Sequence, residues 1–430
     1  KGDDMIRAAL TAEEAREGIR ALAPQLKNYA RLIVRKGVNV KSGQEVVVQS
    51  PVECAEFARL VVEEAYVCGA GHVTTIWADD EVTRLTYENV DTSYFENTPE
   101  WKRLQLDSLA EAGACFIFIE GADPEALKGV DPAKPATASK ARNTQCKVFR
   151  HGLDYNINPW CIAGAPVVAW ARHVFPGVED DVAIYKLWKA ILHTARADGD
   201  DPESDWEVHD AAFEKNLRFL NDHHFDRLHY VAKNGTDLTV GMTSGHIWAG
   251  GKGETPDGHP FFPNIPTEEV FTSPDRNCVD GIVYSAMPLI HHGNKVDRFW
   301  IKFENGVAVD YDAEVGKATL ASILETDEGA RHLGEVALIS KNTPIRESGI
   351  LFYDTLYDEN ASCHLALGVG FPECLQGGYD MSNDELVEHG LNVSSTHVDF
   401  MIGTDDIDIT GITPDGEEAV IFQNGQWSWE

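Results

Sequence analysis

The sequence predicts two domains: an α/β N-terminal domain with a parallel sheet, then an α+β C-terminal domain. The first observation is length, because 430 residues exceed one ordinary hydrophobic core. The second is a strand–helix–strand pattern between Val46 and Trp77, which is typical of parallel strands. The third is a change to consecutive strand patterns beyond residue 226. We expect a two-domain architecture with a different sheet in each half.

The N-terminal segment predicts two short helices. Thr11 is followed three residues later by Glu14, the spacing of a capping box, and apolar residues then repeat at helical period. Pro24 lies inside this pattern and should break it, because proline removes a helical N–H and clashes with the preceding turn. We therefore expect one helix on each side of the break.

The next segment predicts a βαβ unit. Val46–Val48 is an apolar run that indicates a buried strand, and Pro51 suits the first position of a helix that Gly69 ends. His72–Trp77 predicts the second strand. Residues 113–127 predict another strand followed by a helix, so the N-terminal half continues as α/β.

The glycines at 69 and 71 do not make a dinucleotide-binding fingerprint. They precede a predicted strand, whereas a pyrophosphate-binding loop follows a strand and opens a helix. Nucleotide binding at this loop is therefore not expected.

A helix that begins near Ser204, with Glu207 three residues later, marks the expected domain boundary. We place the N-terminal domain at residues 5–215 and the C-terminal domain at residues 216–430. Beyond the boundary the pattern predicts strands, and Glu304-Asn305-Gly306 predicts the turn of a hairpin. The C-terminal domain is therefore expected to be rich in antiparallel strands.

Composition argues against nucleic acid or an anionic membrane as partner. The chain has 36 Lys and Arg against 70 Asp and Glu, a formal net charge of −34, whereas phosphate recognition needs a positive face. Amines, other cations and metal ions suit such a surface better, although most of these charges also serve solubility.

The cysteines predict a reducing compartment. Eight of them are scattered without Cys-x-x-Cys spacing or a short disulfide framework. The chain also has no apolar run of about 18 residues that would indicate a membrane span. We expect a soluble cytoplasmic protein.

His397 and Asp399 are the first candidate site residues. They are two residues apart in a run that alternates as a strand, so both side chains leave the same face with their bases about 7 Å apart. Such a pair can converge on one ion. The alternative, two ordinary surface residues, is weakened by the apolar run Phe400–Ile402 that follows.

The stretch TLYDENASCHLALG, residues 355–368, contains the second pair, Glu359 and His364. On a regular helix these two side chains would diverge by about 140°, so a shared site requires a change of conformation between them. Asn360 and Ser362 favour such an irregular passage. The alternative is a lone buried histidine that donates to a carbonyl.

Further carboxylates occur in apolar sequence surroundings, where water would solvate their charge poorly. Glu268 and Glu269 lie between apolar residues in a loop rich in Pro and Asn, and Glu335 begins an apolar strand. A carboxylate in such a position needs a cation, hydrogen-bond donors or a metal, unless it is a cap or a surface residue.

Four blocks of the sequence resemble one family. Residues 264–275 (NIPTEEVFTSPD), 326–340 (TDEGARHLGEVALIS), 355–368 and 397–412 (HVDFMIGTDDIDITGI) closely resemble, in order, blocks of the thermophilic aminopeptidases of the aminopeptidase T type. Residues 32–66 and 235–251 are also similar to that family, so the resemblance covers nearly the whole chain.

The resemblance implies a set of metal ligands in this chain. They are Glu269, Glu335, Glu359, His364, His397 and Asp399. A single catalytic zinc needs three protein ligands and a water, so this larger set suits two divalent ions roughly 3.5–4 Å apart. Carboxylates with two imidazoles leave Zn, Co and Mn all suitable.

One position departs from the family pattern. The family places a Tyr seven residues after the histidine of the third block, and this chain has Phe371 there. The family tyrosine is thought to stabilise the tetrahedral intermediate, and losing one such donor costs about 100- to 1000-fold in rate. Tyr357 and Tyr379 are the candidates for a replacement hydroxyl near the substrate.

The resemblance implies a metalloaminopeptidase that removes N-terminal residues from short peptides. Glu335 is our first choice for the general base and Glu268 the second. The family also implies a homodimer whose site faces an enclosed cavity.

Two alternatives stay open at this point. His364 and His397 with Asp399 or Glu335 match the two-histidine, one-carboxylate ligation of a non-haem Fe(II) ring-cleaving oxygenase, but Glu269 and Glu359 are then surplus. The other alternative is a non-catalytic protein that retains metal or peptide. Metal content and hydrolysis of aminoacyl-p-nitroanilides discriminate among the three.

Overall fold

The computed structural model describes residues 10–291 and 294–430. Its helices are α1 (Ala12–Ala21), α2 (Ala23–Leu32), α3 (Ala55–Val67), α4 (Asp80–Asn89), α5 (Glu100–Glu111), α6 (Ala133–Gln145), α7 (Lys147–Asp154), α8 (Val168–Val174), α9 (Asp180–Thr194), α10 (Pro202–His223), α11 (Lys317–Leu324), α12 (Pro344–Ser348), α13 (Thr355–Asp358) and α14 (Asn383–Glu388).

Its strands are β1 (Glu45–Pro51), β2 (His72–Ala78), β3 (Cys115–Glu120), β4 (Trp160–Gly164), β5 (Arg227–Val231), β6 (Asp237–Met242), β7 (Ala249–Gly250), β8 (Gly253–Glu254), β9 (Pro260–Phe261), β10 (Asn264–Ile265), β11 (Val270–Thr272), β12 (Pro274–Tyr284), β13 (Leu289–His291), β14 (Asn294–Glu304), β15 (Val307–Val315), β16 (Leu333–Leu338), β17 (His364–Gly368), β18 (His397–Met401), β19 (Asp408–Ile412), β20 (Glu418–Gln423) and β21 (Gln426–Trp427).

The chain forms two compact units. Unit 1 runs to Val208 and includes Lys252–Thr267, and unit 2 comprises His209–Gly251 and Glu268–Glu430. The boundary expected at residues 215/216 falls within α10, and residues 252–267, expected in the C-terminal domain, cluster with unit 1. The reason is strand pairing, since β10 lies parallel to β4 in the sheet of unit 1. Residues 5–9 of the predicted N-terminal domain lie outside the described residues.

Unit 1 is built on a five-stranded sheet of order β10-β4-β3-β1-β2, and every one of its pairs is parallel. Val46–Val48 of β1 is buried between β3 and β2, which is why these three residues are all apolar. The βαβ prediction is confirmed, because β1 and β2 lie parallel on either side of α3 in sequence.

The two predicted N-terminal helices are also present. The Thr11 hydroxyl accepts from the Glu14 N–H, and the Glu14 carboxylate accepts from the Thr11 N–H, which completes the capping box. Pro24 lies in the first turn of α2, where its missing N–H costs no helical bond. The proline therefore divides α1 from α2, as predicted.

Two local predictions in unit 1 are wrong. The chain continues as strand through Pro51, which pairs with Ala78, so α3 begins only at Ala55. No helix lies between β3 and residue 127, and α6 begins at Ala133. In the segment after β3, the Asp123 carboxylate accepts a hydrogen bond from the Glu125 N–H. This local turn competes with helix formation.

Unit 2 contains two sheets. The larger sheet has the order β13-β14-β12-β6-β5-β19-β20-β21, with β15 also paired to β14. The predicted hairpin joins β14 to β15. Asn305 and Gly306 both have positive φ, 49° and 81°, as a tight hairpin turn requires.

The second sheet of unit 2 has the order β18-β17-β16-β11-β7, and all of its pairs are antiparallel. Strands β16 and β17 are buried along their whole length. The parallel α/β unit and the mixed helix-and-sheet unit 2 confirm the predicted fold class. Among the described residues, no helix is long and apolar enough to cross a membrane.

Candidate metal centre

The smaller sheet of unit 2 carries acidic and imidazole side chains on one face. Glu335 of β16 lies opposite Ala366 of β17, and Ala366 lies opposite Asp399 of β18. Directly opposed residues project from the same face of a sheet, so the two carboxylates flank a small methyl group. The alanine leaves a space that a larger side chain would fill.

The two histidines project from that same face because of strand alternation. His364 is two residues before Ala366 on β17, and His397 is two residues before Asp399 on β18. Ala337 lies opposite His364, so a second small residue borders the space. The predicted strand placement of His397 and Asp399 is confirmed.

Gly334, the residue before Glu335, lets strand β16 lie very close to the backbone at Gly368 and Val369. The register between β16 and β17 shifts between Leu333 and Glu335, and a Cβ placed on Gly334 would lie 2.3 Å from the carbonyl oxygens of Gly368 and Val369. A side chain at this bulge would push the two strands apart.

The side chains form two groups that share Glu335. One group is Glu269, Glu335 and His364, the other is Glu335, His397 and Asp399, and in each the ligand atoms lie within 4.8 Å of one another. Glu335 Oε2 lies 3.1 Å from His397 Nε2 and 3.8 Å from His364 Nε2. Glu335 is therefore the common centre of the two groups.

The remaining separations within the groups are similar. His364 Nε2 lies 3.5 Å from Glu269 Oε2, and His397 Nε2 lies 3.2 Å from Asp399 Oδ1. Glu269 directly precedes β11, which pairs with β16 and so delivers this carboxylate beside Glu335. Five of the six sequence-predicted ligands thus converge.

Glu359 approaches this cluster from an irregular segment. A single 3₁₀ turn covers Glu359–Ala361, and Ser362 is extended before β17 starts at His364, the change of conformation that the sequence predicted. Burial raises the pKa of Glu359 well above its ordinary value, and the charges of Glu269 and Asp399 raise it further. Glu359 therefore lies near the cluster, although it belongs to neither group.

Buried hydrogen bonds fix the position of this segment. Asn360 is completely buried, and its Oδ1 accepts from the Glu268 N–H at 2.7 Å. Its amide nitrogen donates to the Leu356 carbonyl at 2.9 Å. Asn360 thus ties the segment of Glu359 to the segment of Glu269.

Both imidazoles have their Nδ1 atoms directed at backbone carbonyls. His397 Nδ1 lies 2.7 Å from the Val369 oxygen, and His364 Nδ1 lies 3.3 Å from the Ser362 oxygen. A carbonyl only accepts, so Nδ1 carries a proton in each ring, and Nε2 is the atom left to bind a metal. In both rings Nε2 faces the carboxylates.

The carboxylates lack enough positive charge around them. Burial raises the pKa of Glu269 well above its ordinary value, and Glu335 and Asp399 raise it further by repulsion. Burial also opposes ionisation of Asp399, but His397 and His364 outweigh it and lower the pKa of Asp399 to about 2. Among the described residues, no Lys or Arg pairs with any carboxylate of the cluster. A bound cation would supply the missing charge.

The other predicted site residues have different surroundings. Glu268 belongs to neither group, and its carboxylate lies 3.7 Å from His209 Nε2. The Phe371 ring packs against the His397 ring at 5.0 Å and against Phe271 at 5.5 Å. Phe371 therefore borders the cluster.

The two tyrosines differ in accessibility. Tyr357 is completely buried and stacks on Phe352 with ring centroids 4.6 Å apart. Tyr379 is partly exposed, and its hydroxyl donates to Glu373 Oε2 at 3.0 Å. Of the two, only Tyr379 has an accessible surface.

Glu373 was not predicted from the sequence. Its charge raises the pKa of Glu269, after the larger effects of burial and the nearer acidic groups, so its carboxylate lies near the cluster. The only sequence feature that points to it is a glutamate directly after Pro372 and close to Phe371.

A cavity of about 180 Å³ lies beside the second group. His397 and Asp399 form part of its wall, together with Leu289, Ile290 and Met401. An apolar cavity of about 150 Å³ holds a benzene ring, so this space is large enough for one amino-acid side chain.

One face of this sheet thus carries buried carboxylates and imidazoles, and too little positive charge surrounds the carboxylates. Such a site defines a protein that binds divalent metal. The family model for thermophilic metalloproteases (M29) matches residues 22–427. The chain belongs to this metallopeptidase family.

Relatives of similar length support this assignment. The chain is 44% identical to aminopeptidase AmpS of Bacillus subtilis over 409 residues, which cover 95% of this chain and 100% of that protein. It is 41% identical to aminopeptidase 2 of Geobacillus stearothermophilus, covering 94% of this chain and 98% of the relative.

A solved structure shares the fold. Wild-type AmpT from Thermus thermophilus superposes with a TM-score of 0.88 at 37% identity, covering 95% of this chain and 100% of that chain. The two-unit architecture is therefore that of an experimentally determined member.

Proposed function

We propose that this chain removes N-terminal residues from short peptides by water activation between two divalent metal ions. The family and its named members make it a metal-dependent aminopeptidase. The observation that supports the metal centre is the orientation of the imidazoles: both Nδ1 atoms donate to carbonyls and both Nε2 atoms face carboxylates.

Two sets of residues would hold the ions. Glu269, Glu335 and His364 supply one set, Glu335, His397 and Asp399 supply the other, and Glu335 is shared. Glu359 is the sixth proposed ligand, since its carboxylate lies within electrostatic reach of Glu269 and Asp399. Oxygen donors with one imidazole per ion fit Zn, Co and Mn.

Ions held by these residues would supply Lewis acidity, which would polarise the scissile carbonyl and lower the pKa of water. Glu335 occupies the centre of the cluster, and we assign it the role of proton acceptor as well as shared ligand. Glu268 is the second candidate for the base, since it is fixed by the bond between its N–H and Asn360. The cavity beside His397 and Asp399 gives room for a substrate side chain.

Cytoplasmic location and a homodimer with an enclosed cavity are further parts of the proposal. They are supported by the cysteine pattern, in which all eight thiols are free, and by the family resemblance. An enclosed site would restrict substrates to short or unfolded peptides.

The test uses metal-stripped protein reconstituted with Zn, Co or Mn and assayed on a panel of aminoacyl-p-nitroanilides. We expect hydrolysis with at least one metal and two ions bound per chain. Protein that holds two ions but hydrolyses no substrate with any metal would instead be a binding protein. One bound iron with oxygen uptake would support a ring-cleaving oxygenase.

Two variants then locate the base. Glu335→Gln should lower kcat more than 1000-fold and lower metal content, whereas Glu268→Gln should keep both ions. Loss of kcat in Glu268→Gln at full metal content would move the base to Glu268. Glu388→Gln, an exposed glutamate on α14, is the matched control and should match the wild type.

A further inference from the structure

Glu373 is an acidic side chain near the metal centre that the proposed ligand set does not use. It lies on a single 3₁₀ turn, Pro372–Cys374, which follows Phe371. The Phe371 ring packs against His397, so this turn borders the second group of ligands. The charge of Glu373 also acts on Glu269, which belongs to the first group. Glu373 thus lies two residues from a ring that contacts the second group and within electrostatic reach of the first.

One carboxylate oxygen of Glu373 is held in place and the other is available. Oε2 accepts a hydrogen bond from the Tyr379 hydroxyl at 3.0 Å. Among the described residues, no hydrogen-bond donor reaches Oε1, and no Lys, Arg or His pairs with this carboxylate. The side chain keeps some exposure to solvent. A ligand can therefore reach Oε1 without displacing a protein group.

The backbone around Glu373 is firmly held. The Phe371 N–H donates to Ser273 Oγ at 2.8 Å, the Ile247 N–H donates to the Cys374 carbonyl at 2.8 Å, and the Gln376 N–H donates to the Gly245 carbonyl at 2.9 Å. Two segments of unit 2, one at Gly245–Ile247 and one at Ser273, thus fix the turn on both sides of Glu373. A side chain positioned in this way is preorganised to bind a ligand.

The negative charge around Glu373 favours a cationic ligand. Burial raises the pKa of Glu373, and Glu335 raises it further, against the opposing hydrogen bond from Tyr379. A cation placed at Oε1 would relieve this repulsion and gain a charge-assisted hydrogen bond. The substrate of an aminopeptidase carries one such cation, the ammonium group at its N-terminus.

We propose that Glu373, oriented by Tyr379, binds the α-ammonium group of the peptide and so sets the position of its first residue at the metal centre. This inference rests on the proposed aminopeptidase function and adds a substrate-binding residue to it. Tyr379 acts as a positioning residue, because its hydroxyl contacts the carboxylate and not the substrate.

The test measures binding without turnover. L-leucine carries the ammonium group, and 4-methylpentanoate is the same molecule without it. In calorimetric titrations of Zn-loaded protein, Glu373→Gln should weaken L-leucine binding by at least 10-fold and change 4-methylpentanoate binding by less than 2-fold. Tyr379→Phe should weaken L-leucine binding by a smaller factor, because the carboxylate remains. Glu388→Gln is the matched control and should change neither.

Three results would overturn the proposal. Equal losses for both ligands in Glu373→Gln would mean a structural role. A lower metal content in Glu373→Gln would make this residue a ligand of the ions. Wild-type protein that does not prefer L-leucine over 4-methylpentanoate would have no ammonium site. Ammonium selectivity in a wild-type protein that hydrolyses no aminoacyl-p-nitroanilide would instead count against the proposed function alone.

Discussion

At the scale of single residues, His397 carries the clearest indication of metal binding. Its Nδ1–H donates to the Val369 carbonyl, and its Nε2 lies 3.1 Å from Glu335 and 3.2 Å from Asp399. One ring nitrogen cannot satisfy two carboxylates with one proton, so an ion at this position explains the arrangement better than an ion pair alone.

Phe371→Tyr is expected to speed up the reaction. The phenyl ring lies 5.0 Å from the His397 ring, so Phe371→Tyr would add a hydroxyl beside the proposed metal centre. A hydrogen-bond donor that stabilises the tetrahedral intermediate should raise kcat by at least 10-fold with little change in KM. Phe271→Tyr, the neighbouring ring at 5.5 Å, is the control. An unchanged kcat in Phe371→Tyr would show that the hydroxyl is not the missing group.

At the scale of elements, β18 is held at its start by Asp327. The Asp327 carboxylate accepts from the Ala330 N–H, from the Ser394 hydroxyl and from both the N–H and the hydroxyl of Ser395. This carboxylate therefore fixes the segment that leads into His397.

Asp327→Asn should lower stability in a pH-dependent way. Burial opposes ionisation, but these four hydrogen bonds outweigh it and lower the pKa of Asp327 to about 2. The stabilisation is therefore present above the ordinary aspartate pKa and is lost as pH falls towards 2. With partial solvent screening, we expect a loss of about 1 kcal/mol at pH 7.

Urea unfolding of metal-free protein at pH 7 and pH 3 measures this effect. The difference between wild type and Asp327→Asn should shrink at the lower pH. Asp200→Asn, an exposed residue of unit 1, should show no difference at either pH. A difference of the same size at pH 3 and pH 7 would refute the assignment.

The bulge at Gly334 makes a second prediction at this scale. A Cβ there would lie 2.3 Å from two carbonyl oxygens, one of which, that of Val369, accepts from His397. Gly334→Ala should therefore weaken metal binding by at least 10-fold, measured by titration with Zn. Gly199→Ala is the control, since its Cβ would meet only the flexible Asp205 carboxylate and no backbone atom. Unchanged affinity in Gly334→Ala would show that the bulge does not position the ligands.

The sequence predicted local elements well where one signal dominated. Thr11 with Glu14 and Pro24 predicted two helices, and Asn305-Gly306 predicted a hairpin, because each depends on neighbouring residues. Strand pairing overrode the helix start predicted at Pro51. Such pairing joins distant residues and leaves no local pattern.

At the scale of the molecule, the same limit applies to the site and the domains. Family resemblance named the six candidate ligands, and the antiparallel register brings five of them together. Glu373 was missed because a single glutamate on a turn has no periodicity or spacing that marks it. Residues 252–267 were placed with the wrong unit because the pairing of β10 with β4 spans distant parts of the sequence.

Metal removal should destabilise the protein. The cluster buries like charges that an ion neutralises, and a ligand at 100 times its Kd stabilises the folded state by about 2.7 kcal/mol. At 2–4 °C per kcal/mol for a unit of this size, we expect the Tm to fall by roughly 5–10 °C after chelation. Scanning calorimetry with and without Zn checks this. The shift should be lost in Glu335→Gln, and a Tm that does not respond to Zn in the wild type would contradict the account.

The central claim is that two divalent ions share Glu335. Anomalous diffraction from a Zn-soaked crystal tests it most directly, because it counts the ions and locates their neighbours. The account predicts two peaks, one bordered by Glu269 and His364 and the other by His397 and Asp399. A single peak, or ions bound away from these side chains, would contradict it.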